Sequence, residues 1–298
     1  MVILQAENLT KQYGKKQALC QVNLNIEENK LVGVVGRNGS GKTTLLSLAA
    51  GFLRPTEGRV LVSGENPAAS PRAAALKIFV DDKLRFAPNL NLHQCLEQTA
   101  VFYPNFQLKL AENMLRYFSL EPTAYPGRLS KGMKSTFFAI AGLCARAPLT
   151  IMDEPTTGMD STIRRDFYKL LLKDYLQFPR TVLISSHLLG EFEDILEEIV
   201  VLDQGRLLLH QDMDSFRQYA VGVRGPRAVL ESSPLWKHKL WLETTGEGAF
   251  LTCPAQQANP LRQDLAHQGC AFEQVTADQL YSCLAAKNKG GLEDVYQI

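Results

Sequence analysis

Gly36-Arg37-Asn38-Gly39-Ser40-Gly41-Lys42-Thr43-Thr44 follows the apolar run Leu31-Val-Gly-Val-Val35 and opens a second apolar stretch, Leu45-Leu46-Ser47-Leu48-Ala49. Strand, glycine-rich turn and helix in that order match G-x-x-x-x-G-K-[ST] in its proper context and decide the fold class: an α/β domain with a phosphate-binding loop. Glycines let backbone N–H groups crowd around phosphate oxygens where side chains would clash. The helix that follows adds the positive end of its dipole. Lys42 is expected to reach the β- and γ-phosphates of a nucleotide, and the Thr43 hydroxyl to meet Mg²⁺.

The next strand-like run outward is Leu149-Thr-Ile-Met152-Asp153-Glu154, a buried strand ending in two acids. An acid at such a strand end holds Mg²⁺ in nucleotide hydrolases, and a neighbouring carboxylate can polarise the attacking water. Thr181-Val-Leu-Ile and Ile199-Val-Val-Leu are further continuous apolar runs, as expected of parallel strands buried on both faces. Helical patterns lie between them: Met133, Phe137, Ile140, Ala141 and Cys144 share one face, and Phe167, Leu170, Leu171 and Tyr175 another. Alternation of this kind indicates an α/β domain.

From about residue 91 to 146 the rhythm breaks and only helices are expected. Leu92, Leu96, Ala100 and Tyr103 form one apolar face; Leu110, Met114, Leu115 and Phe118 form the next. Residues 1–210 are therefore read as one domain carrying a helical subdomain. Beyond Asp203-Gln-Gly-Arg206 the character changes. Residues 211–298 hold scattered prolines, short strand-like pieces such as Leu240-Trp-Leu242, and eight Lys/Arg against ten Asp/Glu. They read as a small, slightly acidic α+β appendage.

Composition narrows the function classes. The 298 residues are 45% hydrophobic and 21% charged, ordinary for a folded globular chain. The formal net charge of +1 argues against a dedicated nucleic-acid binder. The longest stretches free of charged or amide side chains, Thr43–Leu53 and Ser135–Ala145, are far short of the ~20 residues a spanning helix needs. No leader-like N-terminus is evident. Cysteines 20, 95, 144, 253, 270 and 283 show no Cys-x-x-Cys spacing and read as reduced cytosolic thiols.

Taken together these segments resemble the ATP-binding subunits of ATP-binding-cassette (ABC) transporters over roughly residues 1–210. Tyr13, in Leu9-Thr-Lys-Gln-Tyr13-Gly, matches the aromatic that stacks on adenine. Leu129-Ser130-Lys131-Gly132-Met133 matches the signature segment, Thr157-Gly158-Met159-Asp160 the D-loop, and Ser185-Ser186-His187 the switch histidine. The signature departs from Leu-Ser-Gly-Gly-Gln at Lys131 and Met133, while Ser130 and Gly132 are kept. Ser130 also suits a helix N-cap, which would aim free amides outward. Where the family carries a metal- and water-contacting Gln, Phe79-Val-Asp81-Asp82 places Asp82, which cannot donate as an amide does.

The resemblance implies an ABC-type phosphate-loop ATPase fold, ATP and Mg²⁺ as ligands, and a head-to-tail pair of ATPase subunits. ATP would lie between the loop Gly36–Thr44 of one copy and Ser130 and Gly132 of the other. Glu154 would act as general base, Lys42 and His187 would stabilise transferring charge, and Thr43, Asp153 and Asp82 would hold the metal. A separately encoded integral membrane permease is implied, with this chain peripheral on the inner face of the cell membrane and residues 83–130 transmitting closure to it. The Lys-Gly-Met-Lys segment, Phe102-Tyr-Pro-Asn-Phe106 and Ser-Ser-His are similar to bacterial type-2 exporters. A soluble ABC-type ATPase switching on ribosomes or nucleic acid, or a phosphate-loop kinase, are the alternative readings.

Overall fold

In the computed structural model, residues 1–83 and 85–286 are described. The chain divides into one compact unit, Met1–His210, and a second beginning at Gln211. In the first, β1 (Val2–Tyr13) and β2 (Lys16–Glu27) form a long hairpin. β3 (Leu31–Val35) leads into α1 (Lys42–Ala49), followed by β4 (Glu57–Val62), α2 (Pro71–Ala75) and β5 (Lys77–Val80). Three helices come next without a strand between them: α3 (Leu92–Phe102), α4 (Leu108–Tyr117) and α5 (Lys131–Cys144). β6 (Leu149–Asp153), α6 (Ser161–Gln177), β7 (Thr181–Ser186), β8 (Glu198–Asp203) and β9 (Arg206–Asp212) complete it.

Two sheets share this unit. The central one has the order β5-β6-β7-β3-β8-β9, and the pairs from β5 to β8 are parallel. β3, β6 and β7 are buried at every residue, which is why their sequences are continuous apolar runs. The other sheet, β2-β1-β4, is antiparallel. Its Leu9, Leu19 and Ile26 pack with Leu45, Leu46 and Leu48 of α1 and with Ile151, Leu183 and Val200 of the parallel sheet in one core. α1 is thereby clamped between the two sheets, and the loop preceding it is fixed at both ends.

The helical faces differ in detail from those expected. α3 buries Leu92, Cys95, Leu96 and Thr99, whereas Ala100 and Tyr103 are only half-buried. Its start is set by a capping box between Asn91 and Gln94. α4 buries Ala111, Met114 and Leu115. α5 is buried from Ser135 through Cys144 because it packs against α3, α4 and α6 and also against β5 and β6. Met133, expected on its apolar face, is exposed. All six cysteines are free, and burial pushes the Cys95 and Cys253 thiols up to about 11.

The second unit begins with α7 (Met213–Arg217) and continues with β10 (Ala220–Pro226), α8 (Arg227–Ser232), β11 (Trp241–Thr245) and β12 (Gly248–Pro254). α9 (Ala255–Ala258), α10 (Arg262–His267), β13 (Ala271–Gln274) and α11 (Ala277–Ala286) follow. Its antiparallel sheet has the order β11-β12-β10-β13, the split β-α-β-β-α-β arrangement. Val223, Leu251 and Cys253 of the sheet pack with Leu230, Leu235 and Leu265 in a core of its own. Among the described residues, no helix is long and apolar enough to cross a membrane.

Candidate functional site

Parallel strands end together, so the segments leaving β3, β6 and β7 all emerge at one edge of the sheet. β3 delivers the glycine loop. Gly41 caps α1 in a left-handed conformation, φ +108°, and a side chain there would lie 2.7 Å from the Ala18 carbonyl. Only glycine satisfies both demands. Lys42, 6% exposed, folds back so that Nζ donates to the Gly36 carbonyl at 2.7 Å. Ser40 Oγ is buried without a hydrogen-bond partner among the described residues. A buried hydroxyl of this kind wants a partner, and here a ligand can supply one.

β6 delivers the acids. Asp153, in the last strand position, accepts a hydrogen bond from Ser185 Oγ of β7 at 2.5 Å. Glu154 follows with φ +50°, a left-handed conformation that costs a non-glycine residue about 1–2 kcal/mol. That turn brings its carboxylate to two side-chain partners. Oε1 is 3.4 Å from Lys42 Nζ, and Oε2 is 2.8 Å from His187 Nδ1, the residue that β7 delivers. Three side chains singled out far apart in sequence thus form one connected row.

The surrounding cleft, about 430 Å³, is lined by Tyr13, Lys16, Ala18, the stretch Asn38–Thr44, Glu154, Thr157 and His187. That volume is in the range of small-ligand sites. Gly36 lies behind the loop through its carbonyl, and Arg37 is exposed beside it. Tyr13, 46% exposed, stands at the hairpin end opposite Lys16. Lys16 and Ala18 carry no motif, and only the hairpin's return past Tyr13 brings them in.

In the loop after β5 the two acids differ in exposure. Asp82 is exposed. Asp81 is half-buried and accepts from the Lys83 N–H at 3.0 Å. Burial, with the charges of Asp82 and Asp153 adding to it, raises the Asp81 carboxyl above its ordinary value.

Ser130 and Gly132 do not line the cleft. Ser130 caps α5, its Oγ accepting from the Met133 N–H at 3.3 Å. A Cβ on Gly132 would fall 2.2 Å from the Gly158 carbonyl, so this glycine is demanded by a backbone approach within the chain itself. Ser135 Oγ donates to the Thr157 carbonyl at 2.7 Å, a second tie between α5 and the segment 157–160. Asp160 is engaged as the N-cap of α6, accepting from Thr162 and Ile163.

No group of three or more His, Cys, Asp or Glu that could hold a metal occurs among the described residues. The side-chain oxygen donors lining the cleft are the hydroxyls of Tyr13, Ser40, Thr43, Thr44 and Thr157, the Asn38 amide oxygen and the Glu154 carboxylate. Such a hard-oxygen set fits Mg²⁺ held jointly with nucleotide phosphates.

Comparison with known proteins agrees with this geometry. Residues 19–157 match the family profile described as ABC transporter. The chain is 30% identical over 242 residues to the bacitracin transport ATP-binding protein BcrA of Enterococcus faecalis, covering 78% of this chain and 79% of that one. It is 27% identical over 222 residues to the ABC transporter ATP-binding protein YtrB of Bacillus subtilis, covering 74% and 76%. A dimeric bacterial ABC transporter cassette superposes with a TM-score of 0.63 at 26% identity, covering 71% of this chain and 99% of that one.

Proposed function

This chain belongs to the ABC transporter ATP-binding subunits, ATP hydrolases that bind ATP or ADP, pair as dimers and work with a membrane permease, and on that premise we propose how its residues divide the labour. Backbone amides of the loop Gly36–Thr44 cradle the phosphates, and Tyr13 stacks on the adenine. Lys42 exchanges its contact with the Gly36 carbonyl for the γ-phosphate, and with His187 it stabilises the charge that develops during transfer. Glu154, released from Lys42 by that exchange, polarises the attacking water. Thr43 and Asp153 hold Mg²⁺, which when bound neutralises charge on the phosphates. From the loop after β5, Asp81 is better placed to assist than the exposed Asp82. The N-capped start of α5, with Ser130 and Gly132, meets the nucleotide of the partner subunit.

The observation that carries this reading is the row Lys42–Glu154–His187 at the ends of three parallel strands. A groove of about 790 Å³ supports docking of a separately encoded permease. It is lined by Phe52, Phe79, Phe86, Phe102 and Tyr103 between the sheet and the helical region. Phe52 and Phe102 are 68% and 76% exposed, a display of aromatic surface that calls for a covering partner. Leu84, within the segment expected to transmit closure, lies outside the described residues. A permease partner would hold the chain at the inner face of the membrane. Export is supported by the Lys131-Gly132-Met133-Lys134 segment together with a relative named for bacitracin transport. The unit beginning at Gln211 has its own core and no phosphate-binding motif, which supports an accessory role.

Glu154→Gln tests the reading. The amide cannot take a proton, so turnover should vanish while ATP binding persists and the ATP-bound dimer accumulates on sizing. Near-parental ATPase activity would overturn the assignment. Recovery from native membranes only with ribosomes or DNA, and without an integral membrane protein, would overturn the transporter role.

A further inference from the structure

A single hydroxyl from the neighbouring strand ties the acid pair at the end of β6 together. Ser185 is fully buried and stands opposite Asp153 in the parallel register of β6 and β7. Its Oγ donates to Asp153 Oδ1 at 2.5 Å and accepts from the Glu154 backbone N–H at 2.9 Å. A serine hydroxyl has one proton and two lone pairs, so this one works in both directions at once. The second bond grips the peptide where the chain enters its left-handed turn at Glu154. That turn carries the Glu154 carboxylate out of the strand's alternation and towards Lys42 and His187. The same hydroxyl commits one oxygen of Asp153, fixing the plane of that carboxylate. Among the described residues, no other side chain joins Asp153 and the Glu154 backbone to β7 in this way.

We propose that Ser185 is a positioning residue for ATP hydrolysis, setting the Asp153 carboxylate and the Glu154 turn as one unit without touching substrate itself. The proposal rests on the reading of Glu154 as the water-polarising group. Alanine at 185 removes the donor to Asp153 and the acceptor for Glu154 N–H. Threonine keeps both and adds a methyl group. Valine adds the same bulk without the hydroxyl, so the threonine–valine pair isolates the hydrogen bonds from the packing.

The test measures kcat and KM for ATP, affinity for a fluorescent ATP analogue, and thermal melting, on Ser185→Ala, Ser185→Thr, Ser185→Val and Glu154→Gln. Misplacing a reacting group by the order of an ångström costs about 10²-fold, and kcat of Ser185→Ala should fall by that order with KM and analogue affinity unchanged. Ser185→Thr should recover most of kcat and Ser185→Val should not. Parental kcat in Ser185→Ala overturns the proposal. So does equal impairment in the threonine and valine variants, or analogue affinity lost in parallel with kcat. Where Ser185→Ala does not fold, the threonine–valine pair decides. If Glu154→Gln turns over ATP like the parent, the reading of Glu154 fails and this proposal with it. If Glu154→Gln is dead and Ser185→Ala is active, this proposal alone fails.

Discussion

Two carboxylates, each held between two nitrogen-bearing side chains, occupy opposite ends of the same parallel strands. Before β6 and β7 begin, Asp174 of α6 is gripped by Arg146 at 2.6 Å and Arg180 at 2.9 Å, and all three side chains are 12% exposed or less. Arg146 also lies 3.4 Å over the Phe178 ring, and Arg180 donates further to the Phe178 and Leu143 carbonyls. Where β6 and β7 end, Glu154 is held by Lys42 and His187, with 26% of its side chain and 46% of that of His187 exposed. Removing one partner of a buried pair strands a charge, so the first cluster is a fastener. The second is half open, its longer contact is 3.4 Å, and its lysine has a backbone carbonyl it can leave. Each carboxylate has two side-chain partners. Exposure and the freedom to exchange partners separate a working group from a structural one.

Substitutions at the two ends should therefore fail differently. Glu154→Gln should lower turnover by the 10²–10⁴-fold that general-base catalysis supplies, about the largest single effect expected, with no change in melting temperature. Asp174→Ala should cost about 3–5 kcal/mol in chemical denaturation while the folded fraction hydrolyses ATP normally. A stable Asp174→Ala protein, or a Glu154→Gln protein that melts early, would break the comparison. Gly132→Ala should cost about 1–3 kcal/mol through its collision with Gly158, and ATP-dependent pairing on sizing should weaken more than nucleotide affinity. Within the loop after β5, Asp81→Asn should slow ATPase turnover about tenfold, as loss of a ligand-supporting group does, and Asp82→Ala should slow it less. The smallest effect is expected from ending the chain at residue 210, which should leave affinity for a fluorescent ATP analogue unchanged.

The cleft was legible because its chemistry lies in short contiguous runs, each fixed to a strand end. Continuous apolar stretches mark β3, β6 and β7 as strands buried on both faces, and parallel strands bring their trailing loops to a common edge. The antiparallel sheet was not legible in the same way. β1 and β2 each run 12 residues, but positive φ at Asn8 and Gln21 and repeated register shifts break their alternation, so no period of two survives in Val2–Tyr13. The α3 face was misjudged for a related reason: Cys95 and Thr99 are buried where spacing favoured Ala100 and Tyr103. Asp81 could not be told from Asp82 by sequence, since the difference between them is how the loop leaves β5. Ser185 carries no signal of its own, because its role depends on standing beside β6.

Thr157 gives the molecule a short line of communication. It lines the nucleotide cleft, and its carbonyl receives the Ser135 hydroxyl of α5, the helix whose capped start carries Ser130. Near that start, Gly132 rests against the Gly158 carbonyl with no room for even a methyl group. Residues 157–158 and the exposed start of α5 therefore have no free space between them. The cleft wall and the start of α5 are thus joined by one side-chain hydrogen bond and one close backbone approach, a coupling in which neither end can shift alone.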